Sequence, residues 1–202
     1  MFSRHLRATL GVAAVLALAT AIVDADVRGS KQDAEQLRQK LATITQYLPG
    51  RAARPHRTTI SEQELNAYLA YDARPELPAG VIDPAITILG TGRVAARAVV
   101  DLDAVRRQKN PTSAFDPASY LTGRLPVTVA GVLRTNNGIG QFTLESATIG
   151  GVPVPKPLLQ EIVSYYSRSP DMPNGVSLDN PFALPAHIRE IQVERGQAVI
   201  VQ

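Results

Sequence analysis

The stretch from Leu125 to Arg168 constrains the fold more than any other part of this chain. Leu125, Val127, Val129, Gly131 and Leu133 alternate with Pro126, Thr128, Ala130, Val132 and Arg134, and a period of two is the signature of a strand. Asn136-Asn137-Gly138 follows. Asn and Gly enter positive φ at low cost, so the chain turns back here in a hairpin. The return strand, about Gly140 to Ile149, puts Phe142 and Leu144 on one face and Thr143 and Glu145 on the other. Gly150-Gly151 then frees the backbone to bend. Val152-Pro153-Val154-Pro155-Lys156-Pro157 resists helix over most of its length, because residues preceding proline are pushed to extended conformations. Pro157 suits the first turn of a helix, where its missing N–H is not needed. From there Leu158, Leu159, Ile162, Val163 and Tyr166 recur at helical spacing, with Gln160, Glu161, Ser164 and Ser167 on the other face. The helix, about Lys156 to Arg168, is ended by the proline- and glycine-bearing run Ser169 to Gly175.

Arg4 and Arg7 precede an uninterrupted apolar or small run from Ala8 to Val23. A basic segment followed by an apolar one is the pattern of a secretory signal, and Val23-Asp24-Ala25 supplies a cleavage site before Asp26. Two outcomes are open: cleavage, or retention of residues 1–25 as an N-terminal membrane anchor. Either way the chain is expected to be exported, to the periplasm or cell envelope. Residues 26–58 read as a helix and basic linker, and 59–202 as a single domain. In the helix, Ala34, Leu37, Leu41, Ile44 and Leu48 form one stripe, and Pro49-Gly50 stops it. Arg51 to Arg57 is read as a solvated linker.

Ser61 and Glu64 make a capping box, with Ile60 placed to staple onto Leu65. The helix that follows runs to about Ala70 with Leu65, Tyr68 and Leu69 inward, and Arg74 to Gly80 breaks it. Val81 to Leu89 reads as a strand whose first half Pro84 confines to an edge or loop. Gly90-Thr91-Gly92 turns into Arg93 to Leu102, where Val94, Ala96, Ala98 and Val100 oppose Arg93, Ala95, Arg97 and Val99. At about 3.3 Å per residue that strand spans about 30 Å, long enough to twist or curl around something. Residues 106–123 are polar and proline-interrupted, with a helical turn expected near Pro117 to Leu121; Gly175 to Leu184 leaves room for one short strand; Arg195-Gly196 turns a C-terminal hairpin.

The chemistry-bearing residues do not assemble into a motif. His5, His56 and His187 have no ligand-type neighbours in sequence, and the chain has no cysteine, which removes thiolate metal sites, thiol nucleophiles and disulfides. Asp101 and Asp103 read as a solvated strand end, and Ser61 as a cap with no base to activate it. Gly150-Gly151 lacks the strand–GxGxxG–helix context of a dinucleotide site. The formal charge is only +3 and its Lys and Arg are scattered, so no nucleic-acid partner is expected. No catalytic residue, metal ligand or cofactor is assigned, and the chain is not read as an enzyme.

The order Ile60-Ser61-Glu62-Gln63-Glu64-Leu65-Asn66-Ala67-Tyr68-Leu69 helix, long strands, Val127 to Leu133, Asn-Gly hairpin, then Gly151 to Leu159 and a helix resembles the LmeA-like and tubular lipid-binding (BPI-like) families of exported bacterial proteins. The resemblance runs from about Thr59 to the C-terminus. It implies a curved sheet wrapped around a helix and holding acyl chains, and it carries no site residue over. The expected fold is therefore α+β, a long curved antiparallel sheet packed around or against helices. The expected function is an exported, non-enzymatic module binding a lipid or other apolar envelope molecule in a groove between sheet and helix. Leu65, Tyr68, Leu69, Leu158, Ile162 and Tyr166 would line that groove, with rim arginines such as Arg93 or Arg97 meeting a head group. Partners on this reading are a lipid and, through residues 8–23, a membrane. The alternative is a structural cell-envelope protein that binds another protein, with helix 30–48 as the docking element.

Overall fold

The computed structural model describes residues 29–48, 55–108, 122–168 and 172–202. The signal or anchor segment, the Pro49-Gly50 stop, residues 51–54 of the basic linker, the turn expected at 117–121 and the helix stop at 169–171 lie outside the described residues.

Helix α1 (Lys31–Gln46) opens on a capping box of its own. The Asp33 N–H donates to Ser30 Oγ at 3.2 Å, and the Asp33 carboxylate accepts the Ser30 N–H at 2.6 Å. Ala34, Leu37 and Ile44 of its stripe are buried. Leu48 lies beyond the helix and is 82 % exposed, so the stripe ends one turn earlier than its spacing suggested.

Strand β1 (Arg57–Ser61) runs directly into α2 (Glu62–Tyr71). Its first residue falls in what reads as linker; the β-branched Thr58-Thr59-Ile60 is the local signal for the strand. The Ser61–Glu64 capping box is present. Strands β2 (Val81–Gly90) and β3 (Arg93–Asp101) follow. Helix α3 (Leu102–Gln108) takes over at the point where the strand was expected to continue. Then come β4 (Arg124–Asn136), β5 (Ile139–Ile149), β6 (Val152–Pro153), α4 (Lys156–Ser167), β7 (Phe182–Ala183), β8 (Glu190–Glu194) and β9 (Gln197–Val201).

These elements make an α+β fold with two antiparallel sheets, not one. The larger has the order β2-β3-β4-β5-β6, with β7 also on β5; the smaller is β1-β9-β8. The β4–β5 turn has Asn137 at φ 49° and Gly138 at φ 79°, the paired positive φ values of a tight hairpin. Pro84 sits in an edge strand, beside a register shift between Ile82 and Ala85. A second shift lies between Ala130 and Gly131, which pair with Ser146 and Leu144 and leave Glu145 as an extra residue. An inserted residue reverses side-chain parity. Phe142 and Leu144 are therefore followed on the same face by Ala147, not by Ser146.

Directly paired residues share a face, which gives the rows Ile86–Ala96–Val129–Ala147 and Ile88–Val94–Gly131–Leu144. Both helices α2 and α4 pack on this one face. Leu69 and Ala73, the latter just past the end of α2, pack with Ile86 and Ile88 near the β2 margin. Leu159 packs with Leu178, Val129 and Ala147 further across. A third cluster, Leu37, Ile44, Ile60, Ile188 and Ile200, sits between α1 and the smaller sheet. Leu65 and Tyr68 border both the first and the third cluster, so α2 packs against both sheets.

Two polar side chains act as strand partners. Asn66, buried in α2, accepts the Ile86 N–H and donates to the Ile86 carbonyl, both at 2.7 Å. Thr135 Oγ1 likewise accepts the Ile191 N–H at 2.7 Å and donates to the Ile191 carbonyl at 3.1 Å. The Ile88 N–H goes to a Glu62 carboxylate oxygen at 2.6 Å, and the Ile88 carbonyl to the Gly196 N–H at 2.8 Å. The outer edges of β2 and β8 are thus satisfied without adding strands, which closes templates for edge-to-edge association.

Candidate ligand-binding face

Helix α4 is divided into three stripes. Leu159 is buried against the sheet with Val163 beside it. A polar stripe holds the segment after the helix. Gln160 accepts the Leu178 N–H at 2.6 Å and donates to the Val176 carbonyl at 3.0 Å. Ser167 Oγ accepts the Val176 N–H at 2.6 Å. Residues from the face opposite the apolar stripe are therefore the clasp for a strap whose Leu178 completes the core. Leu158, Ile162 and Tyr165 form the third stripe, at i, i+4 and i+7. Leu158 is 45 % exposed, and Ile162 and Tyr165 are half-buried. At about 100° per residue this flank lies on the opposite side of the helix from Gln160 and Ser164.

Truncating Gln160 to Ala leaves the Leu178 N–H without its acceptor. The expected loss is about 2 kcal/mol, the cost of a buried donor left unpaired. Hydrogen exchange at the Val176 and Leu178 amides should quicken in Q160A while the β3–β4 amides keep their protection.

The structure separates the five described residues of the six expected to line one groove. Leu65, Tyr68 and Leu69 are packed between the two sheets, Leu69 buried and the other two half-buried. Leu158 and Ile162 lie on the flank of α4, beside another cluster. The Tyr166 side chain is outside the described residues.

Strand β3 is interior to the larger sheet, yet none of its nine residues is buried. Val94 and Ala96 border the α2 cluster. Ala98 and Val100 continue the same row as half-buried apolar side chains beyond it. The helix-bearing face therefore has an apolar lane along β3 that the core does not close.

Arg93 and Arg97 are not at the rim of this lane. Strand alternation turns both to the opposite, outer face. There Arg93 pairs with Glu145 at 2.8 Å, and Arg124 with Asp101 at 3.3 Å. The Ala104 N–H, helped against burial by Arg124, holds the Asp101 carboxyl below its usual range, so it stays ionised and paired at neutral pH.

Two cavities open elsewhere. One of about 800 Å³ lies between the β4–β5 hairpin and β8, lined by Leu133, Arg134, Ile139, Gln141 and Glu190 among others. One of about 360 Å³ lies between α1 and β1, with Lys40, Thr58 and Glu64 in its wall. Of the six expected residues, none of the five whose side chains are described lines either. Among the described residues no cluster of His, Asp and Glu could hold a metal ion, and no helix is long and apolar enough to cross a membrane.

Fold and site together define an α+β protein built on a two-faced sheet, with one face apolar and helix-bearing and the other charged. No protein-family model matches the chain, and no curated protein matches it. Among solved structures it is similar to a crystal structure of lipopolysaccharide binding protein, at 17% identity and a TM-score of 0.24, over 80% of this chain and 47% of that one. The chain thus spans about half the length of that protein, and a TM-score so low assigns neither fold nor ligand.

Proposed function

We propose that the protein is an exported, non-enzymatic module that binds a lipid or another apolar molecule of the cell envelope. The ligand lies along the helix-bearing face, against the β3 lane and the Leu158–Ile162 flank of α4. The observation that carries this reading is the interior strand without a buried residue: Val94, Ala96, Ala98 and Val100 present apolar surface that the protein's own core leaves part-covered. Each methylene that covers such surface contributes about 0.8 kcal/mol, so about eight of them supply about 6 kcal/mol before immobilisation costs. Export is supported by the basic start and the apolar run of residues 8–23. The reading with helix 30–48 as docking element is less well supported, because Ala34, Leu37 and Ile44 are buried in the protein's own domain.

The test is native mass spectrometry with lipid extraction on protein purified from its own envelope, together with uptake of an added lipid. A stoichiometric lipid is expected. Ile162→Glu and Ala98→Glu should each weaken uptake at least tenfold, with the thermal midpoint moved only a few degrees because neither side chain is buried. An apo mass with no uptake on adding envelope lipids back, or uptake unchanged in both variants, would overturn the proposal. If Ile162→Glu unfolds the protein, Ala98→Glu decides.

A further inference from the structure

The outer face of the larger sheet has a chemistry of its own. Its residues are fixed by register: Arg93 opposite Val132 and Thr143, Ala95 opposite Ala130 and Ser146, Arg97 opposite Thr128 and Thr148, and Asp101 opposite Arg124, with Arg134 opposite Gln141 at the hairpin end. Apart from its charges and Gln141 the face is made of small, hydroxyl or apolar side chains. Four arginines stand on it, all exposed, against two carboxylates on the face itself, a net of +2; Glu190 of β8 shares a cavity with Arg134 at the hairpin end. Both carboxylates are already engaged, Glu145 by Arg93 and Asp101 by Arg124. Arg97 and Arg134 have no acidic partner among the described residues. Asp83 stands at the margin, in the β2 bulge.

The spacing decides what kind of anion fits. Arg97 and Arg134 are six residues apart along the strand direction, about 20 Å at 3.3 Å per residue, and the four arginines together span about 33 Å. No small anion bridges such distances. An extended surface bearing many negative charges does. We propose that this face docks the protein on a bilayer containing anionic phospholipid. The choice of a bilayer over another polyanion rests on the chain's own N-terminal segment, whose basic start and apolar run at 8–23 have the pattern of a membrane-engaging signal or anchor. The two faces then divide the work, with charge holding the protein at the surface and the apolar lane free on the other side.

The experiment measures binding of the full chain to vesicles of phosphatidylcholine alone and of phosphatidylcholine mixed with phosphatidylglycerol. Any insertion of residues 8–23 contributes equally to both, so the readout is the ratio. The mixed vesicles should bind more than about tenfold tighter, with the preference fading as salt rises. The double variant R97E/R134E should lose the preference. K31E/R74E, which changes the total charge equally at exposed sites off this face, should keep it. If R97E/R134E disturbs folding, R97Q/R134Q is read instead. Equal binding to the two vesicle types, a preference that survives in the face variant, or an equal loss in the off-face control would overturn the proposal. Uptake of a soluble lipid should be normal in R97E/R134E and lost in Ile162→Glu, so failure of the docking face and failure of the apolar site are told apart.

Discussion

Asn66→Asp is expected to destabilise the protein by about 4 kcal/mol at pH 7. The wild-type amide is 2 % exposed and makes two complementary bonds to the backbone of Ile86, each of 2.7 Å. A carboxylate keeps the bond from the Ile86 N–H. It loses the donor, sets an anionic oxygen against the Ile86 carbonyl, and buries a charge with no cation to offset it. Protonation restores a donor, so the folded-state pKa of the new carboxyl is raised above its unfolded value. A raised pKa stabilises below the unfolded value and the benefit is lost as pH rises. Urea denaturation of the variant should therefore show stability falling from about pH 4 upward. Asn66→Ala should cost less, about 2–3 kcal/mol, without that slope, because it leaves two unpaired backbone groups but no charge. It also opens an edge of β2, so it should aggregate more readily than wild type. Wild-type stability in Asn66→Asp at pH 7 would mean that the Ile86 edge is not held from α2.

The second large effect is expected at Lys40. Its ammonium donates to the two Glu64 carboxylate oxygens at 2.6 and 2.8 Å and to the Thr59 carbonyl at 2.7 Å, tying α1 to β1 and α2 in one contact. Glu64 is buried at 6 % exposure. Burial pushes its carboxyl up, but Lys40 and the Ser61 N–H outweigh this and hold it below the usual range. A depressed pKa contributes stability that is present above the unfolded value and lost as pH falls through the folded one. Lys40→Met removes the cation and leaves the carboxylate buried. We expect a loss of about 2–3 kcal/mol at pH 7, below the cost of breaking a fully enclosed pair because the lysine side chain is 34% exposed. The pH slope should change sign as well, since an unpaired buried carboxyl has a raised pKa. Denaturation at pH 7 and pH 3 checks this: wild type should lose stability in acid, and Lys40→Met should lose less or gain. Glu64→Gln, which keeps an acceptor for the Ser61 N–H, should flatten the profile. A Lys40→Met variant as acid-sensitive as wild type would remove Glu64 as the cause.

The candidate site was half legible before the fold was known. The inward face of α2 follows from the spacing of Leu65, Tyr68 and Leu69. In α4 the apolar residues 158, 159, 162 and 163 cover about 140° of the helix at 100° per residue, and spacing cannot say which part of so wide an arc meets the sheet. The structure assigns Leu159 and Val163 to the sheet and leaves Leu158 and Ile162 on the flank. The arginines show the reverse. That Arg93 and Arg97 oppose Val94 and Ala96 is plain from strand parity, and it already separates any charged surface from the apolar lane.

Whatever depends on residues within a few positions of each other is written in the residue order. The Asn137-Gly138 turn, the Ser61–Glu64 capping box, the alternation of β3 and β4, and the α+β class follow from backbone preferences and from periods of 2 and 3.6. Tertiary structure alone decided the pairing of distant groups. Asn66 meets Ile86 across 20 residues, Lys40 meets Glu64 across 24, and Thr135 meets Ile191 across 56. The split into two sheets and the bulge at Glu145 belong with these. A polar side chain has the same local signature whether it faces water or a strand edge. Its role is set by desolvation and by the geometry of a partner that only the folded chain brings near.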